Sequence, residues 1–454
     1  MKKHDTEMNY KIAIKKFIFL IYPIATLIYA LHLFFSGVRT GICLTAVLIL
    51  GAAAIALLGL FTVRQTEDKV FTVYLIYNLL SGIWCVKYGM PVSVYLGEVT
   101  TTALPMVFYY AGRGFDDEDA DRYYRGFIIA ALAMGLLGAV MFIFTPQFYL
   151  DFAFENSLIS VADAPTARVR MESVIGSGAM GCFSAYAVCI SSYFLWKKSS
   201  DRRREGIIYM LFSVIFTFMA NQRSAMFSVI LMLVIFSCMA FRVSGKKEKK
   251  YIWGAIAGVV IAVSAIFVFA RGVFDKFWAR LSSIPAGFGE RTGSWVNVVN
   301  RTHNIWLGDG LGSRGHRAAG FQEYIIADGG LVKLYTEMGI IGTSIIIFML
   351  VLVYTKAYRN IRKVIPEIAV ITCAILMSIG SNVLEIELCA PVVYFALGRA
   401  VRILTGPDTG TEQAGAAEVR ADSAADTGRT ANEGGAKDTG SAVDMGSSTQ
   451  RGNV

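Results

Sequence analysis

Residues 207–250 read IIYMLFSVIFTFMANQRSAMFSVILMLVIFSCMAFRVSGKKEKK. Two apolar runs, 207–220 and 224–241, flank a connection of a few residues, and the second run closes on Arg242, Lys246, Lys247, Lys249 and Lys250. Arg223 is the one charged residue between 207 and 241. No polar face recurs at helical spacing, so neither run reads as the amphipathic helix of a soluble domain. A bilayer core about 30 Å thick takes roughly 20 apolar residues to cross as a helix. The pair reads as two spans joined by a tight turn.

Worked outward, the pattern repeats. Upstream spans are expected at 17–35, 41–61, 70–86, 92–110, 127–144 and 174–196, and further ones at 251–270, 331–354, 368–384 and 388–401. The stretches 207–220 and 388–401 are short for a full crossing. The expected fold is an all-α, polytopic integral membrane helical bundle of about twelve transmembrane helices. The composition agrees, since 17% of residues are charged against about 25% in soluble domains.

Net charge is +9, but the basic residues do not gather on one folded face as nucleic-acid binding requires. They alternate. Loops 2–16, 64–69, 113–125, 197–204, 242–250 and 356–363 all carry Lys or Arg, whereas most intervening ones are short and nearly uncharged. By the positive-inside rule the basic set is cytoplasmic, so both termini are expected inside. The N-terminal run 17–35 is long for a signal segment and no small-residue cleavage site follows, so it reads as the first span. Residues 1–404 form the expected membrane domain. Residues 405–454 are rich in Gly, Ala, Thr and Asp and form an expected disordered cytoplasmic tail. All seven cysteines lie in apolar stretches without paired spacing, which fits buried structural thiols rather than disulfides or zinc.

Two outer loops break the charge rule. Residues 146–173 include Arg168 and Arg170; residues 271–330, between the ninth and tenth spans, hold Arg271, Lys276, Arg280, Arg291, Arg301, Arg314 and Arg317. Loops of this length can translocate whatever their charge. The functional alternative is an anionic ligand at the outer surface, because guanidinium forks match phosphate bidentately. Phe274, Phe277, Trp278 and Leu281 fall at i, i+3, i+4 and i+7, the pattern of an interfacial helix that places Arg280 at headgroup depth. Arg223 sits at an outer membrane edge, where it must snorkel or pair. The segment Gly308-Asp-Gly-Leu-Gly-Ser-Arg-Gly315 lacks the Lys-Ser/Thr of a phosphate-binding loop. Its remaining option is a turn that offers backbone N–H groups to an anion. His303 and His316 stand alone rather than at metal spacing and read as loop-packing residues. Asp328 lies at the mouth of the tenth span, as a helix cap or as a functional acid. Glu337, nine residues on, would lie about 13–14 Å deeper, where a carboxylate is a functional candidate. Lys333 precedes it by four on the same face and can neutralise it.

Three stretches together resemble the O-antigen ligase/polymerase superfamily: Asn221-Gln-Arg-Ser-Ala225; Arg291-Thr-Gly-Ser-Trp295 followed by Trp306-Leu-Gly-Asp-Gly-Leu-Gly312; and Asp328 through Glu337 to Gly339 and Gly342. The resemblance covers 223–342, and the N-terminal half shares only topology. Where the ligases carry a functional histidine this chain has Asp328, which is more similar to the repeat-unit polymerases. The resemblance implies an inverting, metal-independent, cofactor-free glycosyltransferase. Such an enzyme polymerises undecaprenyl-pyrophosphate-linked repeat units of O-antigen, capsule or exopolysaccharide on the outer face of the bacterial cytoplasmic membrane. Arg223, Arg291 and Arg280 would grip pyrophosphate, Asp328 would act as base or orienter of the acceptor hydroxyl, and Glu337 as a supporting acid. Implied partners are lipid-linked oligosaccharides and membrane lipids, with a chain-length regulator and a flippase. The alternatives are a ligase that transfers finished glycan, and a polysaccharide flippase or secondary transporter.

Overall fold

The computed structural model describes residues 2–35, 38–156, 170–197, 200–243 and 284–406, together with isolated positions elsewhere. The expected ninth span and interfacial helix, Arg280 among them, and the 407–454 tail lie outside the described residues. The chain divides into two compact units, Met1–Thr405 and Gly406–Val454, and every helix described belongs to the first.

Among the described residues the chain is helical and contains no strand. In order come α1 (Lys2–Phe34), α2 (Thr40–Leu57), α3 (Thr66–Leu80), α4 (Gly82–Lys87), α5 (Val92–Glu98), α6 (Phe108–Gly114), α7 (Asp117–Phe144) and α8 (Gln147–Glu155). They are followed by α9 (Ser177–Lys197), α10 (Ser200–Ala220), α11 (Arg223–Val243), α12 (Ile284–Asn300), α13 (Gly330–Ser378) and α14 (Ala390–Thr405). Among the described residues six helices are long and apolar enough to cross a membrane: Tyr10–Phe34, Thr40–Leu57, Thr66–Lys87, Asp117–Phe144, Ser177–Trp196 and Gly330–Ser378. Lipid offers backbone groups no partner, so apolar runs of this length close their hydrogen bonds internally. The start of α7 is set by Asp116, whose carboxylate accepts from the Asp119 N–H at 2.8 Å, and by Asp117, Glu118 and Asp119 in the first turn.

Helix α9 is the centre of the bundle. Its apolar window is 83% buried, against 33% for those of α1, α2 and α3. It packs on α7, α10, α11 and α13, and Gly181, Ser184, Ala185, Ala187, Ser191 and Ser192 let those neighbours approach. The closest approach is between α6 and α14. A Cβ on Gly112 would strike the Phe395 carbonyl, and one on Gly398 that of Tyr109.

Two stretches depart from the expected spans. Residues 92–110 do not form one helix: α5 passes into a π-turn at Val99–Ala103, a short turn at Leu104–Met106, and then α6. The cause is local. Thr100 and Thr101 hydroxyls donate to the carbonyls of Gly97 and Glu98, and Pro105 has no N–H for the carbonyl four residues back. The second departure is slight: the expected spans 331–354 and 368–384 are two helical arms of α13 that meet at a kink, in the stretch 356–363 where the charge pattern implies a basic loop. Non-helical angles occur at Asn360 and Val364, just before Pro366, and at Gly339 within the first arm.

Candidate functional site

The break at Gly339 organises everything around it. Its φ of 62° and ψ of −170° leave the helical region and suit a residue without Cβ. The loop after α12 repairs the interruption. Asp309 and Gly310 N–H groups donate to the carbonyls of Thr336 and Glu337, both at 2.9 Å, while Ile340 and Ile341 donate to those of Ile305 and Trp306 at 2.9 and 3.1 Å. The Tyr77 hydroxyl donates to the carbonyls of Leu307 and Met338 at 3.0 Å. Asp309, 1% exposed, receives the His303 N–H at 2.7 Å and Arg314 Nε at 2.8 Å. Arg314 also donates to the Arg301 carbonyl at 2.8 Å.

The glycine-rich turn therefore fills a broken helix. Its N–H groups at 308, 309, 310, 311, 313 and 314 are all taken by chain acceptors. Two of these, at 309 and 310, cap the break itself, and the anion-cradle option is left with the N–H groups of Gly312 and Gly315.

Beneath the turn lies a charged hub. Lys333 Nζ is 2.7 Å from Glu98, 2.5 Å from Glu385 and 3.7 Å from Glu337. Glu337 Oε1 accepts the Arg314 N–H at 3.0 Å, so this carboxylate ties the turn to the hub. It lines a 40 Å³ cavity with Tyr74, Asn78 and Lys333. Arg317 reaches Glu98 at 3.8 Å from a half-exposed position. The pKa of Glu385 is raised, chiefly by burial and against the pull of Lys333. Burial lifts Glu387 to about 7, with Arg317 opposing.

A second cluster forms on the loop ends. Arg291 Nη2 donates to Asp328 Oδ2 at 2.7 Å and Nη1 to the Gly380 carbonyl at 3.2 Å. One turn on, the Trp295 indole donates to the Asp328 carbonyl at 2.7 Å. Positions i and i+4 of α12 thus hold Asp328 by side chain and main chain. Asp328 is not the cap of α13, since Gly329 occupies that position without a side-chain cap. Arg223, at the start of α11, lies in the repulsive field of Arg291 and Arg170. The Nε atoms of Arg223 and Arg170 are buried and have no hydrogen-bond partner among the described residues. The turn before α11, with Asn221 at φ 52°, is pinned to the end of α13: Gln222 Nε2 donates to Ser381 Oγ at 2.6 Å, and the Ser224 and Ser381 hydroxyls are 2.9 Å apart.

Between the clusters opens a cleft of about 460 Å³. Gln222, Asp328 and Ser381 line it with Glu98, His316, Arg317 and Glu385, and α9 contributes Gly178, Ala179 and Cys182. The structure brings Arg223, Arg291 and Asp328 together as one constellation. It puts Glu337 in the hub, away from this lining. Lys333 contacts Glu337 as its spacing implied and gathers two further carboxylates. His303 stacks on Tyr88 at 4.6 Å between ring centres, a packing role, whereas His316 reaches the cleft wall. Glu98, Glu385 and Ser381 were not singled out from sequence, and Arg170 was noted only as a cation of its loop, without a role. The legible signal for Glu98 and Glu385 was a carboxylate within or bordering an apolar run; for Arg170 it was its place in the other charge-breaking loop. Among the described residues no group of three or more His, Cys, Asp or Glu is arranged to hold a metal ion.

No family model matches the chain, and no curated protein matches it.

Proposed function

We propose that the chain polymerises lipid-linked polysaccharide repeat units at the outer face of the bacterial cytoplasmic membrane. The observation that carries this reading is geometric: Arg291 holds Asp328 and Arg223 follows Gln222, both of them residues that line a 460 Å³ cleft, and Arg223 and Arg170 have buried Nε donors without a partner among the described residues. Like charges gathered in this way favour an anion, and pyrophosphate supplies charge and planar-fork acceptors together. Twelve spans with both termini cytoplasmic would put 271–330, and hence this cluster, outside. The motif resemblance at 221–225, 291–312 and 328–342 points the same way.

In this mechanism the arginines bind the undecaprenyl pyrophosphate of the growing glycan and stabilise its charge as the anomeric bond breaks. Arg280, which lies outside the described residues, is the further candidate from sequence for the same grip. Asp328 holds the Arg291 fork in register and faces the cleft where the acceptor hydroxyl enters. Glu337 supports from behind by anchoring the turn and Lys333. The reaction so drawn needs no metal or cofactor. The acceptor is a lipid-linked repeat unit from a flippase partner, with a chain-length regulator alongside. A ligase would use the same cluster with a different acceptor.

One observation favours a second reading, a flippase or secondary transporter. Buried Lys333, Glu98 and Glu337 and partly buried Glu385 lie next to the helix break at Gly339 and the π-turn at 99–103, a combination typical of transport sites. The test is purified protein with a lipid-linked repeat unit. Laddered glycan on a gel supports the polymerase; unpolymerised units moved across a liposome bilayer support the transporter and overturn the polymerase.

A further inference from the structure

Within the polymerase reading, one chemical role has no settled owner: the group that takes the proton of the acceptor hydroxyl. Three carboxylates line the cleft, namely Asp328, Glu98 and Glu385. Asp328 is engaged by Arg291 through Oδ2 and by Trp295 through its carbonyl, on the side of the cleft where the leaving pyrophosphate would be gripped. Glu98 is 2% exposed; its Oε1 holds Lys333 at 2.7 Å and Thr102 at 2.9 Å, and its Oε2 faces Arg317. Asp328 Oδ1 has no donor among the described residues either, but its other oxygen is spent on Arg291, which ties this acid to the leaving-group side. Glu385 belongs to the hub instead: its Oε1 is fixed by Lys333 at 2.5 Å, its side chain is 19% exposed, and no donor to Oε2 is found among the described residues.

The surroundings keep that oxygen approachable and its position rigid. Gly315 lies against it: a Cβ there would come 3.6 Å from Oε2 and 2.5 Å from Lys333 Nζ. Glu385 ends a 3-10 turn at Val383–Glu385, and the neighbouring Asn382 donates to the Ile326 carbonyl at 3.2 Å.

We propose that Glu385, held by Lys333, is the general base that deprotonates the acceptor hydroxyl. The hydroxyl proton passes to Glu385 Oε2 as the acceptor oxygen forms its bond to the anomeric carbon. The bond from that carbon to pyrophosphate breaks, and its electron pair leaves with undecaprenyl pyrophosphate, opposite the arginines. Protonated Glu385 then returns its proton to solvent through the cleft, past His316.

The inference rests on the polymerase reading, and the experiment separates the two. Polymer formation from a lipid-linked repeat unit is measured at pH values from mildly acidic to mildly basic for wild type, Glu385→Gln, Glu385→Asp and Asp328→Asn. The affinity of each for undecaprenyl pyrophosphate alone is measured in parallel. General-base loss predicts that Glu385→Gln slows polymerisation roughly 100-fold or more with unchanged affinity, which also shows that the variant is folded. Glu385→Asp should recover part of the rate with its acid limb displaced. That limb reports a group facing Lys333, Glu98, Glu337, His316 and Arg317. Asp328→Asn should weaken affinity as well as rate. Glu385→Gln polymerising at a rate close to wild type, or losing rate and affinity together while Glu385→Asp rescues neither, overturns the base assignment and leaves the polymerase reading standing. Wild type that never extends a lipid-linked unit overturns both.

Discussion

At the scale of single residues, the arginine cluster makes the sharpest demand. Burial, and then the charges of Arg291 and Arg170, lower the pKa of Arg223, and Arg291 has a carboxylate partner at hydrogen-bond distance in Asp328. Replacing Arg223 or Arg291 by alanine should abolish polymer while membrane abundance persists, because Arg223 lies among like charges and the Arg291–Asp328 pair is exposed enough to add little to stability. Lysine should rescue poorly, since a point charge cannot reproduce the planar fork. Normal polymer from Arg291→Ala, measured as glycan ladder per unit of protein, would return that residue to loop packing. Glu387 gives a prediction in pH. Burial raises its carboxyl from 4.5 to about 7 on folding. A carboxyl raised in this way favours the folded state below its unfolded pKa, and the contribution is lost as pH climbs from 4.5 towards about 7. Glu387→Gln stays neutral throughout. It should match wild type in unfolding free energy at a pH below that window and exceed it above, by at most about 3 kcal/mol, read as a higher thermal midpoint. Equal midpoints above the window would mean that solvent reaches the carboxyl freely.

Among the elements, the α6–α14 contact and the broken arm of α13 carry different burdens. Gly112 and Gly398 allow backbone to meet backbone, and the atoms a methyl group would strike are carbonyls that cannot rotate aside. Gly398→Ala should therefore cost about 1–3 kcal/mol, seen as a lower unfolding midpoint in detergent, whereas Gly41→Ala, with nothing within 4 Å, should be near neutral. A neutral Gly398→Ala would mean that the two helices part without cost. Apolar periodicity could not reveal this contact, because it records which residues are apolar and not how closely two backbones lie. The π-turn at 99–103 was partly legible, in three successive threonines followed by Pro105. The connection at 356–363 was legible in its charges as a break between two spans, but not its form, a kink at Asn360 and Val364 rather than an open loop.

For the molecule as a whole, sidedness is the quantity on which every functional statement depends. Reporter fusions at Ser200 and Lys247 should report cytoplasm, and one at Gly315 the outside; Gly315 inside would put the arginine cluster in the wrong compartment and sink the polymerase reading. Six apolar helices, their positions and the basic runs between them could be read from residues 207–250 and their repeats, because bilayer insertion depends on the composition of a segment and hardly on its neighbours. The candidacy of Arg223, Arg291 and Asp328 was readable for a related reason: charge at an apolar edge is conspicuous wherever the chain goes. Their meeting was decided by tertiary structure alone. Arg223 and Arg291 are separated in sequence by a long excursion, and Arg170 comes from another loop altogether. Only the folded chain could assign Glu337 to a buried hub and open Glu385 to the cleft. Which oxygen of a carboxylate keeps a lone pair for substrate depends on donors supplied by three distant segments, and no local pattern encodes that sum.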